Sequence, residues 1–96
     1  MTVTELLKEK RAEILRIAES HGARRVRVFG SAVRGEATDE SDIDLLVEIG
    51  ERTSPWFPVG LVSELEQVLG RSVDVVTEDS LYWLLKRRIL REARYL

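Results

Sequence analysis

Two stretches carry the residues able to do chemistry. Val28-Phe29-Gly30-Ser31-Ala32-Val33-Arg34-Gly35 opens as a short β-branched strand and breaks at Gly30-Ser31. A residue without a side chain at the break lets the backbone come close to a ligand, and Ser31 can cap a short helix behind it. Exposed N–H groups at such a start suit a phosphate. After a polar loop comes Ser41-Asp42-Ile43-Asp44-Leu45-Leu46-Val47. Asp42 and Asp44 stand two apart at the entrance to an apolar strand. Period-2 geometry sends both carboxylates to one face and Ile43, Leu45 and Val47 to the other. Paired carboxylates repel unless a cation neutralises them, and Mg²⁺ is the hard cation that prefers oxygen ligands and substrate phosphates. A phosphate cradle beside a carboxylate pair points to nucleotidyl or phosphoryl transfer.

Gly30-Ser31-x-x-Arg34-Gly35 followed by Ser41-Asp42-x-Asp44-Leu45 resembles the signature of the polymerase-beta-type nucleotidyltransferases. It is most similar to their smallest branch, the minimal nucleotidyltransferases (MNT), often paired with HEPN-domain proteins as antitoxin and toxin. The resemblance spans nearly the whole chain. It implies attack by an acceptor hydroxyl on the α-phosphorus of a nucleoside triphosphate, usually ATP, with two Mg²⁺ ions supplying the counter-charge. Asp42 and Asp44 would hold the metals that grip the triphosphate. Asp74 matches the family's third acidic position and would complete the metal site or take the hydroxyl's proton. Gly30 and Ser31 would hold the outer phosphates. Arg34 joins them as a phosphate contact or closes a salt bridge to the acidic loop. The chain ends at its last helix, so the acceptor is expected on another chain: a HEPN ribonuclease toxin modified on a tyrosine. The rival reading is a non-catalytic antitoxin that silences its partner by occlusion. Transfer to a small molecule ranks lower, because no residues are left to build its pocket.

Composition sets the bounds. Ninety-six residues, 44% hydrophobic and 33% charged, fit one globular domain over residues 1–96. A chain of this size buries roughly two-thirds of its unfolded surface, enough for one modest core. The formal charge of −2 argues against a direct nucleic-acid ligand held by a basic surface, and without cysteine there are no disulfides or thiolate metal sites. No apolar run approaches the roughly 20 residues of a membrane span, and the amino terminus has no secretory signal. The expected setting is the cytoplasm. A homodimer stays open.

The elements that must position these residues follow the apolar spacing. Thr2 and Glu5 have capping-box spacing ahead of a helix with Val3, Leu6, Leu7, Ile14, Ile17 and Ala18 on its stripe, stopped by Gly22. His21, the only histidine, suits the C-terminal end of that helix rather than catalysis. Strands are expected at about 25–29, 43–49 and 73–76. Glu48 reads as a solvated strand end, and Asp74 is an odd residue for its apolar strand. Leu61, Val62, Leu65, Val68 and Leu69 mark a helix stopped by Gly70. Ser54-Pro55-Trp56-Phe57-Pro58 marks a loop before it, with Trp56 and Phe57 expected to pack at the core edge. Thr77, Asp79 and Ser80 offer caps for a last helix with Leu81, Leu85, Ile89, Ala93 and Leu96 along one stripe. Its Lys86, Arg87, Arg88, Arg91 and Arg94 lie off that stripe, as a solvated face or a docking surface. The expected fold is α/β (α+β), a small mixed three-stranded sheet packed by about four helices, in the polymerase-beta-type nucleotidyltransferase class that the resemblance implies.

Overall fold

A computed structural model describes residues 2–38, 40–50 and 57–96 of the chain. Its helices are α1 (Val3–Glu9), α2 (Arg11–Ser20), α3 (Ser31–Arg34), α4 (Val59–Leu69) and α5 (Trp83–Glu92). Its strands are β1 (Ala23–Phe29), β2 (Ile43–Ile49), β3 (Val73–Val76) and β4 (Arg94–Tyr95), ordered β3-β2-β1-β4 in one sheet. β1 runs antiparallel to β2 and β4, while β2 and β3 are parallel. A parallel pair needs a crossover, and α4 supplies it.

The capping box forms as spaced: Thr2 Oγ1 accepts from Glu5 N–H at 3.1 Å, and Glu5 Oε2 accepts from Thr2 N–H at 3.2 Å. Such a cap is worth about 1 kcal/mol. The single long first helix expected from the sequence is two, bent at Lys10. Neither Gly nor Pro marks the bend, so no breaker announces it. Gly70 ends α4 in the left-handed conformation at φ 66°. Thr77 caps a 3₁₀ turn, Glu78–Ser80, ahead of α5.

One face of the sheet holds the core. Val26, Val28, Ile43, Leu45, Val47, Val73 and Val75 meet Ile14, Ile17, Leu61 and Leu65 from α2 and α4, with Val3 and Leu7 of α1 beside them. Ile14, Ile43, Leu45 and Leu61 are fully buried. Truncating any of them to alanine costs about 2–5 kcal/mol. The opposite face carries Asp44, Leu46 and Glu48 of β2 by strand alternation.

Among the described residues the sheet has four strands and the helices number five, against the expected three and about four. The extra strand comes from the carboxyl end. The last helix stops at Glu92, and Arg94 and Tyr95 pair with Val28 and Arg27. The expected stripe on this helix is not buried. Leu85 is exposed while Lys86 is half-buried, and α5 contributes no buried residue. Phe57 packs against the core cluster; Trp56 and the rest of the loop at 51–56 lie outside the described residues. Among the described residues no helix is long and apolar enough to cross a membrane.

Candidate active site

The site is built where β1 stops and β2 starts. At the end of β1 the chain turns at Gly30, with φ 79° and ψ −151°, a conformation open to glycine alone. α3 follows at once, its last two amides closing on Gly30 O (Val33 N–H at 3.1 Å, Arg34 N–H at 3.2 Å), and Gly35 ends it left-handed at φ 75°. Ser31 opens this turn, half-buried. Gly30 is glycine for a second reason. A Cβ there would lie 3.2 Å from Asp44 Cγ and closer still to its Oδ2. The phosphate-binding candidate and the carboxylate candidate are in contact.

Strand register gathers the acids. Phe29 of β1, Asp44 of β2 and Asp74 of β3 are Cα partners in one row across the sheet. Paired residues on neighbouring strands share a face about 4.8 Å apart, so Asp44 and Asp74 point the same way. Asp42, one residue before β2, lies close enough for its charge to act on Asp44. The charges feel one another. Burial pushes the Asp44 carboxyl up, Asp74 and then Asp42 push it further, and Arg34 opposes them. Asp74, odd in its strand by sequence, stands exposed on this acidic row.

Whether these residues suit Mg²⁺ rests on the donor set. Among the described residues no three His, Cys, Asp or Glu side chains close into a ready-made cage. Mg²⁺ seldom uses one; it sits on one or two carboxylates together with substrate phosphates. Hard carboxylate oxygens, with Asp44 crowded by two like charges, fit that mode.

Four braces hold the geometry. In the loop before Asp42, Thr38 N–H donates to Ser41 Oγ at 2.8 Å. Arg71, just after α4, donates to the carbonyls of Thr38 and Ser41, the latter at 2.9 Å. Ile43 N–H donates to Ser72 O at 2.9 Å and locks β2 beside β3. The fourth brace is Glu92 at the end of α5. It accepts from Gly30 N–H at 3.2 Å and from Arg34 Nη1 at 2.5 Å. Arg34 also donates to Glu36 at 3.1 Å, so its guanidinium is committed to two carboxylates.

The structure thus brings Gly30, Ser31, Arg34, Asp42, Asp44 and Asp74 to one edge of the sheet. Sequence reasoning did not find Arg71 or Glu92. Both act across the fold, 30 and 62 residues from their partners, and charged residues in mixed-charge surroundings give no local signal. His21 lies elsewhere, at the end of α2, with Nε2 3.1 Å from Glu64 Oε1 of α4. Glu48 faces Arg24 and Arg25 at 3.9 and 3.2 Å. The site is an open edge. A concavity of about 790 Å³ sits at the other end of β1, lined by Ala23 to Val26 and Gly50. Its lining on β1 lies about 10–20 Å along the strand from Phe29.

The model of the nucleotidyltransferase domain family matches residues 8–96. A provisionally named protein adenylyltransferase of Methanocaldococcus jannaschii is 48% identical over 91% of this chain and 94% of its own length. Protein adenylyltransferase MntA of Thermococcus cleftensis is 38% identical over 99% of this chain and 96% of its own. Among solved structures, a provisionally named minimal nucleotidyltransferase superposes with TM-score 0.84 at 44% identity, covering 96% of this chain and 94% of that one. A toxin–antitoxin complex with AMP-PNP shares the fold, with TM-score 0.73 at 21% identity over 88% of this chain and 69% of that one.

Proposed function

The chain belongs to the nucleotidyltransferase domain family, and from that premise we propose that it is a Mg²⁺-dependent protein adenylyltransferase acting as an antitoxin. It moves AMP from ATP to a tyrosine hydroxyl on a HEPN-domain toxin. The observation that carries this reading is the contact between the Gly30 turn and Asp44, with Asp74 next to Asp44 in register. Triphosphate oxygens seated on that turn would lie beside carboxylates that could hold the neutralising cation. The relatives named protein adenylyltransferases support the reaction class, and structures named toxin–antitoxin MntA-HepT share the fold.

Asp42 and Asp44 would hold Mg²⁺ beside the triphosphate, and Asp74 would complete the site or accept the acceptor's proton. Bound Mg²⁺ supplies the counter-charge that lets a hydroxyl approach a polyanion, and it acidifies that hydroxyl. Gly30 and Ser31 fix the outer phosphates so that the α-phosphorus faces the acceptor. The hydroxyl oxygen bonds to that phosphorus, the bond to the bridging oxygen breaks, and pyrophosphate leaves. The reading carries with it a cytoplasmic setting.

The acceptor docks on α5. Tyr82, Trp83, Leu84 and Leu85 are exposed there, Trp83 at 74%, and Lys86, Arg87, Arg88 and Arg91 follow in sequence. A partner with an apolar patch and an acidic rim fits this face.

Incubating chain and toxin with Mg²⁺ and ATP labelled at the α-phosphate tests the reading. Label on the toxin that EDTA abolishes, and that ATP labelled at the γ-phosphate does not give, supports AMP transfer. Label from the γ-phosphate means phosphoryl transfer and contradicts it.

A further inference from the structure

The phosphate turn is held from outside its own sequence. β4 pairs with β1 as Arg27↔Tyr95 and Val28↔Arg94, and Leu96 N–H donates to Val26 O at 3.2 Å. Carried two residues further, this antiparallel register sets Glu92 opposite Gly30. At that step the backbone ladder gives way to a side chain. The Glu92 carboxylate takes the Gly30 N–H through one oxygen and Arg34 Nη1 through the other. Its side chain is only 13% exposed. A carboxylate that deep persists because it is paired. Gly30, in its glycine-only conformation, also touches Asp44. A shift of Gly30 therefore moves the turn relative to the metal-binding acids.

We propose that Glu92 is a positioning residue for nucleotide binding: through the Gly30 N–H and Arg34 it fixes the phosphate turn against Asp44. The inference rests on the nucleotidyl-transfer reading. It gives α5 a part in the reaction beyond carrying a surface. α5 contributes no buried residue, and Glu92, its last residue, is the side chain it extends to the turn. Arg34 acts in the same brace, its guanidinium occupied by Glu92 and Glu36. The two bonds ask different things of Glu92. The Gly30 N–H needs an acceptor but not an anion, whereas Arg34 needs the anion.

That difference gives the test. Affinity for a non-hydrolysable ATP analogue with Mg²⁺ is measured by titration calorimetry on the wild type, Glu92→Gln, Glu92→Ala and the charge-swapped pair Glu92→Arg with Arg34→Glu, alongside thermal melting. Glu92→Gln keeps an acceptor for Gly30 but loses the anion for Arg34, and is expected to fall between wild type and Glu92→Ala, about threefold weaker than wild type. Glu92→Ala and the swapped pair lose the acceptor and are expected to bind about tenfold more weakly while still melting cooperatively. Unchanged affinity in Glu92→Ala with only a lower melting temperature overturns the positioning role and leaves a structural one. Tighter binding in Glu92→Ala overturns it in the other direction, since Glu92 would then compete with phosphate. A folded wild type that does not bind the analogue overturns the nucleotidyl-transfer reading and the inference with it.

Discussion

Gly30 and Asp44 touch across the β1–β2 junction so closely that position 30 has no room for a Cβ, and Gly30 φ of 79° excludes other residues on conformational grounds as well. The turn and the acid pair are one unit. Gly30→Ala is expected to cost about 1–3 kcal/mol in stability through backbone strain, and to reduce nucleotide binding by displacing Asp44. Chemical denaturation and calorimetry check the two halves. Binding retained at wild-type strength would show that the two residues work separately.

Asp44→Asn is expected to lower transfer by at least about a hundredfold, since the substitution removes a proposed metal ligand. Its effect on stability has the opposite sign. Burial and the charges of Asp74 and Asp42 raise the folded carboxyl above its ordinary value. A raised carboxyl gives stability that is complete below the unfolded pKa, about 3.9, and lost as pH rises through the folded value. In EDTA at neutral pH, Asp44→Asn should therefore melt at or above wild type, and the difference should shrink as the pH falls toward 4. A clear loss of stability would make Asp44 a structural residue.

Arg71 ties the loop before Asp42 to the end of α4 through the carbonyls of Thr38 and Ser41. Arg71→Ala should cost about 1 kcal/mol in stability and raise the KM for Mg²⁺–ATP more than it lowers kcat. Steady-state kinetics separates the two. A kcat loss with KM unchanged would place Arg71 in the chemical step instead.

Trp83 is 74% exposed at the head of α5. Trp83→Ala should stay within about 0.5 kcal/mol of wild type in stability, keep its affinity for nucleotide, and weaken modification of the partner about tenfold or more. Wild-type modification by this variant would remove α5 from the docking surface.

The fold was legible wherever the pattern was local. The strands at 43–49 and 73–76, the Thr2–Glu5 cap and the stops at Gly35 and Gly70 follow from alternation, capping and φ preference. The carboxyl end was not. Leu81, Leu85, Ile89, Ala93 and Leu96 recur every three or four residues and read as a helix to the end, yet pairing with Arg27 and Val28 draws Arg94 and Tyr95 into the sheet. That pairing is non-local, so periodicity is blind to it. Glu92 was hidden for the same reason. It is one charge among many on a mixed-charge helix, and only the β1–β4 register singles it out. The convergence of Asp42, Asp44 and Asp74 needed the sheet too, because spacing alone does not set β2 beside β3.

The central claim is that the chain silences its partner by chemistry rather than by covering it. Chain and HEPN-domain toxin are mixed with ATP and Mg²⁺, the toxin is weighed by intact mass spectrometry, and its ribonuclease activity is assayed after separation. The account predicts a toxin heavier by one or more AMP units and inactive on its own, with both changes lost in Asp42→Asn. An unmodified toxin neutralised equally well by Asp42→Asn would contradict it and leave occlusion as the mechanism.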